Sequence, residues 1–240
     1  MKLKLQLLVI YIHSVSFFLT MAVFGQGNNY STERYHMVKK QIEARGITNK
    51  TVLDAFLLVP RHEFVLPEYV RYAYNDYPLP IDEGQTISQP FIVAFMTDAL
   101  NLQHTDRVLE VGTGSGYQAA ILAQICDSVF TIEIFEALTR KAKATFKKLG
   151  YRNIFCKVGD GYLGWKEKAP FDAIIVTCAP THIPKALEEQ LAEGGRMIIP
   201  VGENQVQHLV LMQKRKGKLR QKKILPVRFV PMLDDEGDKY

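Results

Sequence analysis

Three polar features of this sequence have the spacing of a nucleotide-binding site. An apolar run, Val108 to Val111, leads into a glycine-rich turn, and Glu133 and Asp160 each stand at the end of a later apolar run. The turn consists of Gly112, Thr113, Gly114, Ser115 and Gly116. In an open parallel sheet such glycines let a ligand lie against the backbone, and an acid about 20 residues further on accepts hydrogen bonds from a ribose. The pattern therefore predicts a nucleotide or nucleoside site at the carboxyl edge of a sheet.

The length of the glycine turn distinguishes between ligands. The sequence reads G-T-G-S-G rather than G-x-G-x-x-G, whose third glycine lets a helix approach the sheet beneath a pyrophosphate. A nucleoside without phosphates fits the shorter turn better, so we expect S-adenosylmethionine rather than a dinucleotide. Glu133 would accept hydrogen bonds from both ribose hydroxyls, and Asp160, followed by Gly161, would accept one from the adenine amino group. The alternative is a tight strand-to-helix turn without a ligand, with each acid solvated in its loop.

A second candidate site lies upstream, in residues 86–90 (TISQP). Pro90 suits the first turn of a helix, so Ser88 and Gln89 stand at the N-terminus of that helix. Free backbone N–H groups and the helix dipole favour a negative group at this position. The stretch predicts an anion-binding loop; a serine that merely enters a helix gives the same pattern.

Alternating strands and helices must position these residues. Apolar runs predict seven strands, at residues 108–111, up to 133, and at 153–158, 171–177, 196–201, 207–213 and 224–231. Helical spacing is found at 32–45, from 49 to the residue before Pro60, from 90 to 100, after the glycine turn, and at 135–149 and 183–191. Gly194 and Gly195 predict a turn. The fold class is therefore α/β: a doubly wound, mostly parallel seven-stranded sheet with an N-terminal helical cap and a C-terminal antiparallel hairpin.

The length of 240 residues, 47% of them hydrophobic, fits one globular domain with a small extension. We assign residues 26–100 to the helical cap and a substrate loop, and residues 101–240 to the cofactor-binding core. Residues 26–240 then form one catalytic domain.

Residues 1–25 differ in character from the rest of the chain. Lys2 and Lys4 precede an apolar run over residues 5–24, and Val23 and Gly25 form a cleavage pattern ahead of Gln26. These features are typical of a secretory signal peptide, and the run is also nearly long enough for an uncleaved membrane anchor. We therefore expect an exported or periplasmic protein, with a mis-assigned start codon as the other alternative. No membrane association is expected for the catalytic domain itself.

The charge pattern and the cysteines point to no additional chemistry. The net charge is +5, and a cluster of seven cations lies between residues 214 and 223. We interpret this cluster as the solvated tip of a hairpin and expect no nucleic-acid partner. Cys126, Cys156 and Cys178 lack metal-ligand spacing and lie in apolar segments, so we expect buried side chains rather than a disulfide or a metal site.

Short motifs spread along the chain resemble one family. They are VPRHEFV (59–65), GQTISQP (84–90), VLEVGTGSGYQAA (108–120), VGDG (158–161), FDAIIVT (171–177), GGRMIIPVG (194–202) and VRFVPM (227–232). On these motifs, residues 34–233 resemble the protein-L-isoaspartate O-methyltransferases, which have the class I methyltransferase fold. The sequence departs from that family in its export-like N-terminus and in Cys178-Ala179-Pro180, which replaces a run of small residues.

The resemblance implies methyl transfer from S-adenosylmethionine to the free α-carboxylate of L-isoaspartyl residues in damaged proteins and peptides, which starts their repair. It implies Ser88 as the residue at the active centre. Thr86, Gln89, Val230 and Pro231 would bind the substrate peptide beside it. The family is generally cytosolic, which is the alternative to export, and we expect a monomer.

The implied chemistry agrees with the lack of a triad motif. A carboxylate is already ionised at neutral pH and needs no strong general base. Alignment of the reacting atoms and exclusion of water would then supply the catalysis. We expect His62 to pack or hydrogen-bond beneath the cap rather than to act as a base.

Two other functions remain open. The first is a methyltransferase with a different acceptor; residues 177–180 (TCAP) are not the Asn/Asp-Pro-Pro-aromatic motif that amino-directed enzymes of this fold often carry. The second is a cofactor-binding or membrane-tethered protein without catalysis, which the export signal favours and the intact glycine turn, acids and Ser88 disfavour.

Overall fold

The apolar runs of the sequence form strands in the computed structural model, which describes residues 30–203, 206–234 and 236–240. The strands are β1 (Leu79–Pro80), β2 (Thr86–Ile87), β3 (Arg107–Val111), β4 (Ser128–Glu133), β5 (Ile154–Val158), β6 (Phe171–Val176), β7 (Leu191–Val201), β8 (Gln207–Arg215) and β9 (Lys218–Val227). β1 and β2 form a small two-stranded sheet, and the others form one seven-stranded sheet.

The large sheet has the order β5-β4-β3-β6-β7-β8-β9. The five strands from β5 to β7 are parallel, whereas β8 and β9 are antiparallel to their neighbours. The strand order reverses at β3, and in such sheets a crevice opens there at the carboxyl ends of the strands. The predicted doubly wound, mostly parallel sheet with a C-terminal hairpin is confirmed.

Six α-helices are described: α1 (Ser31–His36), α2 (Lys50–Leu58), α3 (Pro90–Ala99), α4 (Tyr117–Ala123), α5 (Glu136–Leu149) and α6 (Lys185–Gln190). The Asn49 side chain caps α2 by accepting a hydrogen bond from the Thr51 N–H at 3.1 Å. Pro90 opens α3, and Gly150 ends α5 in a left-handed conformation. The local start and stop signals therefore act as the sequence predicts at these helices.

The structure corrects two helix predictions and one turn. Residues 32–45 do not form one α-helix: α1 gives way to a π-helical stretch (Met37–Ile42), three of whose residues are buried, and then to a 3-10 turn (Glu43–Arg45). The helix expected at 183–191 is shorter, because Pro184 precedes it and Leu191 already belongs to β7. Gly194-Gly195 lies inside β7, where the pairing with β6 shifts register, so it forms a bulge rather than a turn between elements.

The C-terminal hairpin is longer than predicted. Lys216 and Gly217 both have positive φ, 52° and 68°, which is the geometry of a two-residue turn between tightly paired strands. The paired strands therefore continue through the basic cluster. Lys214 in this cluster is partly buried rather than fully solvated, and its ammonium donates to the carbonyls of Glu188 at 3.1 Å and Leu191 at 2.8 Å.

The helical cap is anchored to the sheet through Tyr117, the first residue of α4. The ring of Tyr117 meets Phe56 of α2 and Phe64 edge-on, with centroid distances of 6.1 and 5.6 Å. Ion pairs of α5 with the cap, such as Lys141 with Asp82 at 2.6 Å, are largely exposed and contribute little stability. Aromatic packing therefore holds the cap over the residues that follow the glycine turn.

Residues Glu33–Tyr240 form one compact unit. Of the residues before it, the structure describes Tyr30, Ser31 and Thr32. The predicted signal peptide or anchor at residues 1–25 lies outside the described residues. In the part of the chain that is described, no helix is long and apolar enough to cross a bilayer.

We predict that Gly116→Ala destabilises the protein more than Gly150→Ala. Both glycines have left-handed φ, 89° and 79°, so both substitutions strain the backbone. A Cβ at Gly116 would lie 2.6 Å from the Phe146 ring, whereas a Cβ at Gly150 has nothing within 4 Å. Overpacking should therefore cost Gly116→Ala about 1–3 kcal/mol more. Urea unfolding without cofactor measures the difference; equal losses would contradict this account.

Candidate active site

An inner cavity opens at the carboxyl ends of β3, β4 and β6. It is lined by several sequence-predicted residues: Thr86, Ser88, Gly112, Thr113, Gly114, Ser115, Glu133, Gly161, Val230 and Pro231. Residues outside the prediction, including Glu110, Tyr117 and Cys178, also line it. The topology thus brings together residues that are far apart in the sequence.

Glu133 holds the glycine turn in place. Its carboxylate accepts hydrogen bonds from the Gly114 N–H at 2.7 Å and from the Phe135 N–H at 3.1 Å. The side chain is buried, and this burial raises the pKa of the carboxyl, although the backbone N–H groups oppose the shift. Glu133 is therefore a fixed acceptor at the end of β4, next to the turn.

The glycine turn passes very close to β6. The Thr177 hydroxyl donates to the Gly112 carbonyl at 2.7 Å, and a Cβ on Gly112 would lie 2.4 Å from that hydroxyl oxygen. Gly112 also has a left-handed φ of 95°. A side chain at this position would therefore push the turn away from β6 and distort the floor of the inner cavity.

Asp160 lies behind the lining of the inner cavity and is already engaged. Its Oδ1 accepts from the Tyr162 N–H at 2.8 Å, and its Oδ2 accepts from the Tyr240 hydroxyl. The Tyr162 and Tyr240 rings stack, with centroids 4.0 Å apart and planes at 14°. A ligand amino group at Asp160 would therefore share the carboxylate with Tyr240.

Glu110 is a buried acid of β3 that faces the inner cavity. Its oxygens have no hydrogen-bond partner of good geometry among the described residues, and weaker interactions with Thr131 and the Ala119 backbone offset burial only in part. Burial raises the pKa of this carboxyl to about 8. An acidic group without a full partner, aimed at a cavity, suits a cationic ligand.

Ser88 stands between two cavities. It lines the inner cavity and also a larger outer groove, together with Thr86, Thr177, Val230 and Pro231. The Ser88 hydroxyl makes no hydrogen bond within the described ranges, whereas its carbonyl accepts from Arg61 Nη2 at 2.7 Å. The backbone of Ser88 is therefore fixed and its hydroxyl is available to a ligand.

Gln89 lines the outer groove only, and its amide donates to the Asp76 carbonyl at 2.9 Å. The loop that carries Ser88 and Gln89 is therefore tied to the cap on both sides.

The opposite wall of the outer groove is a segment that follows β9. The Ala179 N–H donates to the Val230 carbonyl at 2.8 Å, and the Met232 N–H donates to the Ala179 carbonyl at 2.9 Å. The buried Gln207 side chain also clamps Phe229, accepting from its N–H at 2.6 Å and donating to its carbonyl at 3.1 Å. In this parallel pairing the Pro231 carbonyl points away from Ala179 and toward a strand that could lie alongside.

Other predicted residues take other positions. Gly116 does not line either cavity; it packs against Phe146 at the start of α4.

His62 hydrogen-bonds to the Tyr74 hydroxyl at 2.7 Å, as predicted, and burial lowers its pKa. Cys126 is buried, but Cys156 and Cys178 are partly exposed. Among the described residues no cluster of metal-binding side chains is present.

Sequence reasoning missed Glu110, Arg61, Gln207 and Tyr240. A visible signal existed for Glu110, because a charged residue interrupts the apolar strand RVLEV. No local pattern marks the other three, whose roles depend on partners 22 to 80 positions away.

The described residues fit a nucleoside cofactor that carries a positive charge. Glu133 offers a fixed carboxylate beside the glycine turn, and Gly112 and Gly114 line the inner cavity with backbone alone. Glu110 places a second acid at the same cavity. These are the donor and acceptor types that S-adenosylmethionine requires.

Comparisons with known proteins identify the family of this chain. Residues 32–237 match the family model described as protein-L-isoaspartate(D-aspartate) O-methyltransferase. The protein-L-isoaspartate O-methyltransferase of Opitutus terrae is 54% identical over 202 residues, covering 84% of this chain and 87% of that protein. That of Desulfotalea psychrophila is 52% identical over 212 residues, covering 88% and 99%.

Two solved structures with the same activity in their names are also similar to this chain. A protein-L-isoaspartate O-methyltransferase superimposes with a TM-score of 0.78 at 31% identity, covering 85% of this chain and 67% of the other. A Plasmodium falciparum structure assigned to the same activity, in complex with S-adenosyl-L-homocysteine, gives 0.73 at 27% identity, covering 85% and 98%. This chain belongs to the protein-L-isoaspartate(D-aspartate) O-methyltransferase family.

Proposed function

We propose that this protein transfers a methyl group from S-adenosylmethionine to the free α-carboxylate of L-isoaspartyl residues in damaged proteins and peptides. The observation that carries the proposal is the position of Ser88, whose available hydroxyl lies where the inner cavity meets the outer groove. One cavity suits a cofactor and the other is open enough for a peptide. Family membership supports the same reaction.

The inner cavity would hold the cofactor, which supplies an activated methyl group on a sulfonium. Glu133 would bind the ribose hydroxyls, and Gly112, Thr113, Gly114 and Ser115 would lie against the nucleoside. Asp160 and Gly161 would contact the adenine. The acid Glu110 would face the positive part of the ligand.

The outer groove would hold the isoaspartyl peptide. The Ser88 hydroxyl would orient the substrate carboxylate, and Thr86 and Gln89 would shape the same loop. The first two positions of α3 offer no free N–H, because Pro90 lacks the group and the Phe91 N–H donates to Asp76 Oδ1 at 3.4 Å. Val230 and Pro231 form the facing wall, from which the Pro231 carbonyl would accept a hydrogen bond from the peptide backbone. Since the acceptor is already ionised, orientation and exclusion of water supply the catalysis.

We predict that the purified full chain methylates an isoaspartyl peptide and not its aspartyl twin of the same sequence. Ser88→Ala should lower kcat/KM roughly 10- to 100-fold, the effect of removing one hydrogen bond to a charged group. Incorporation of label from radiolabelled cofactor measures both. Ser128→Ala, at the start of β4, is a control that should retain wild-type activity. Equal labelling of both peptides, or of neither, would contradict the proposed function.

We predict that Glu133→Ala weakens cofactor binding by about 1–3 kcal/mol, because charged hydrogen bonds are lost. Isothermal titration calorimetry with S-adenosylhomocysteine gives the affinity. Glu167→Ala, at an exposed position, is the matched control. Unchanged affinity of a folded Glu133→Ala variant would show that the ribose lies elsewhere.

We also propose that residues 1–25 direct the protein out of the cytosol, on the strength of their signal-like sequence alone. N-terminal sequencing of the protein from its native cell should then begin at Gln26. A mature protein that begins at Met1 in the cytosolic fraction would contradict export.

A further inference from the structure

Arg61 is a fully buried cation directly behind the Ser88 loop. It is the single buried Lys or Arg among the described residues. Asp76 is near enough to raise its pKa, but that carboxylate forms its ion pair with Arg45, at 2.8 Å. Its partners are neutral: Nε donates to the Ala73 carbonyl at 2.8 Å, and Nη2 donates to the Ser88 carbonyl at 2.7 Å. The guanidinium carbon lies 4.7 Å from the Tyr117 ring centroid.

The charge of Arg61 is therefore only partly compensated. Burial lowers the pKa of the guanidinium to about 10, so the group is still charged at neutral pH. Carbonyl dipoles and the face of one aromatic ring offset part of the desolvation, but a buried ion without a counter-ion is unfavourable for stability. The other buried side chains of the inner cavity that belong to Asp, Glu, Lys, Arg or His are the carboxyls of Glu110 and Glu133. An anion that approaches Ser88 thus meets one buried source of positive potential.

We propose that Arg61 is a positioning residue for the acceptor: it fixes the Ser88 peptide and supplies the positive potential that binds the acceptor carboxylate, an inference that rests on the proposed function. Nη2 holds the Ser88 carbonyl, so the adjoining hydroxyl keeps its place at the junction of the two cavities.

The two parts of this role affect different kinetic constants. The acceptor carries its full negative charge when it binds and loses that charge as the ester forms. A positive potential therefore stabilises the bound acceptor more than the transition state, so its removal raises KM. Loss of the fixed Ser88 geometry misaligns the reacting groups and lowers kcat.

Two substitutions in the full chain separate these effects. Arg61→Met removes the charge, and we expect the Kd of an isoaspartyl peptide, measured by calorimetry with S-adenosylhomocysteine present, to rise about tenfold or more. The Kd of S-adenosylhomocysteine itself should stay within about twofold, because Arg61 does not line the inner cavity. Arg61→Lys keeps the charge but not the planar fork that reaches two carbonyls, so peptide affinity should be largely retained and kcat should fall about tenfold.

Arg71→Met is the matched control. Arg71 also lies against a ring of the cap, 4.6 Å from the Tyr72 centroid, but it is exposed and lines neither cavity. This variant should leave both affinities and kcat unchanged.

A folded Arg61→Met protein that binds the peptide as tightly as the wild type would overturn the inference, as would equal weakening of peptide and cofactor binding, which indicates a merely structural role. If Arg61→Met does not fold, the Arg61→Lys variant decides the question. A wild-type kcat then overturns the inference, and a lowered kcat with retained peptide affinity supports it.

If the wild type itself does not methylate the peptide, the proposed function fails. If it does and the Arg61 variants behave as wild type, only this inference fails.

Discussion

The register of β3 between β4 and β6 is the constraint on which the site depends. Val111 lies opposite both Ile132 and Val176, so the three strands end at one level of the sheet. The residues that follow, in the glycine turn, at Glu133 and at Thr177, consequently meet at one edge. Because side chains alternate between the two faces of a strand, a slip of one residue would turn Glu133 away from the Gly114 N–H. The cofactor site is thus a consequence of strand pairing as much as of the glycines.

Much of this arrangement could be predicted from the sequence, because it depends on local signals. Apolar runs predict the strands of the large sheet, and caps such as Asn49 and Gly150 predict helix ends. The glycine turn and Glu133 belong to one strand-helix-strand unit, so their proximity follows from a single short stretch. The hairpin was underestimated because the positive φ of Lys216 is not evident from a lysine.

The rest depends on contacts between distant residues, which no local pattern encodes. Arg61 reaches Ser88 across 27 positions, and Tyr240 reaches Asp160 across 80. The bulge at Gly194 depends on how β6 pairs, and the ammonium of Lys214 is bound by carbonyls that α6 and β7 present. Gly116 looks like a ligand-binding glycine in the sequence but is required by the packing of Phe146. The acids of the nucleoside site can therefore be predicted from the sequence, whereas the groups that support them cannot.

The carboxyl of Glu110, which lines the inner cavity, differs in protonation between the folded and the unfolded protein. Its pKa is about 8 in the folded protein against an ordinary value of 4.5, so between these pH values the folded state binds a proton that the unfolded chain releases. The contribution of this residue to the free energy of unfolding therefore falls as pH rises through that interval. A positively charged cofactor bound in the same cavity would favour the ionised carboxylate, so its binding would release the proton and would strengthen as pH rises. One buried acid would thus lower the stability of the protein and tighten its binding of the cofactor over the same rise in pH.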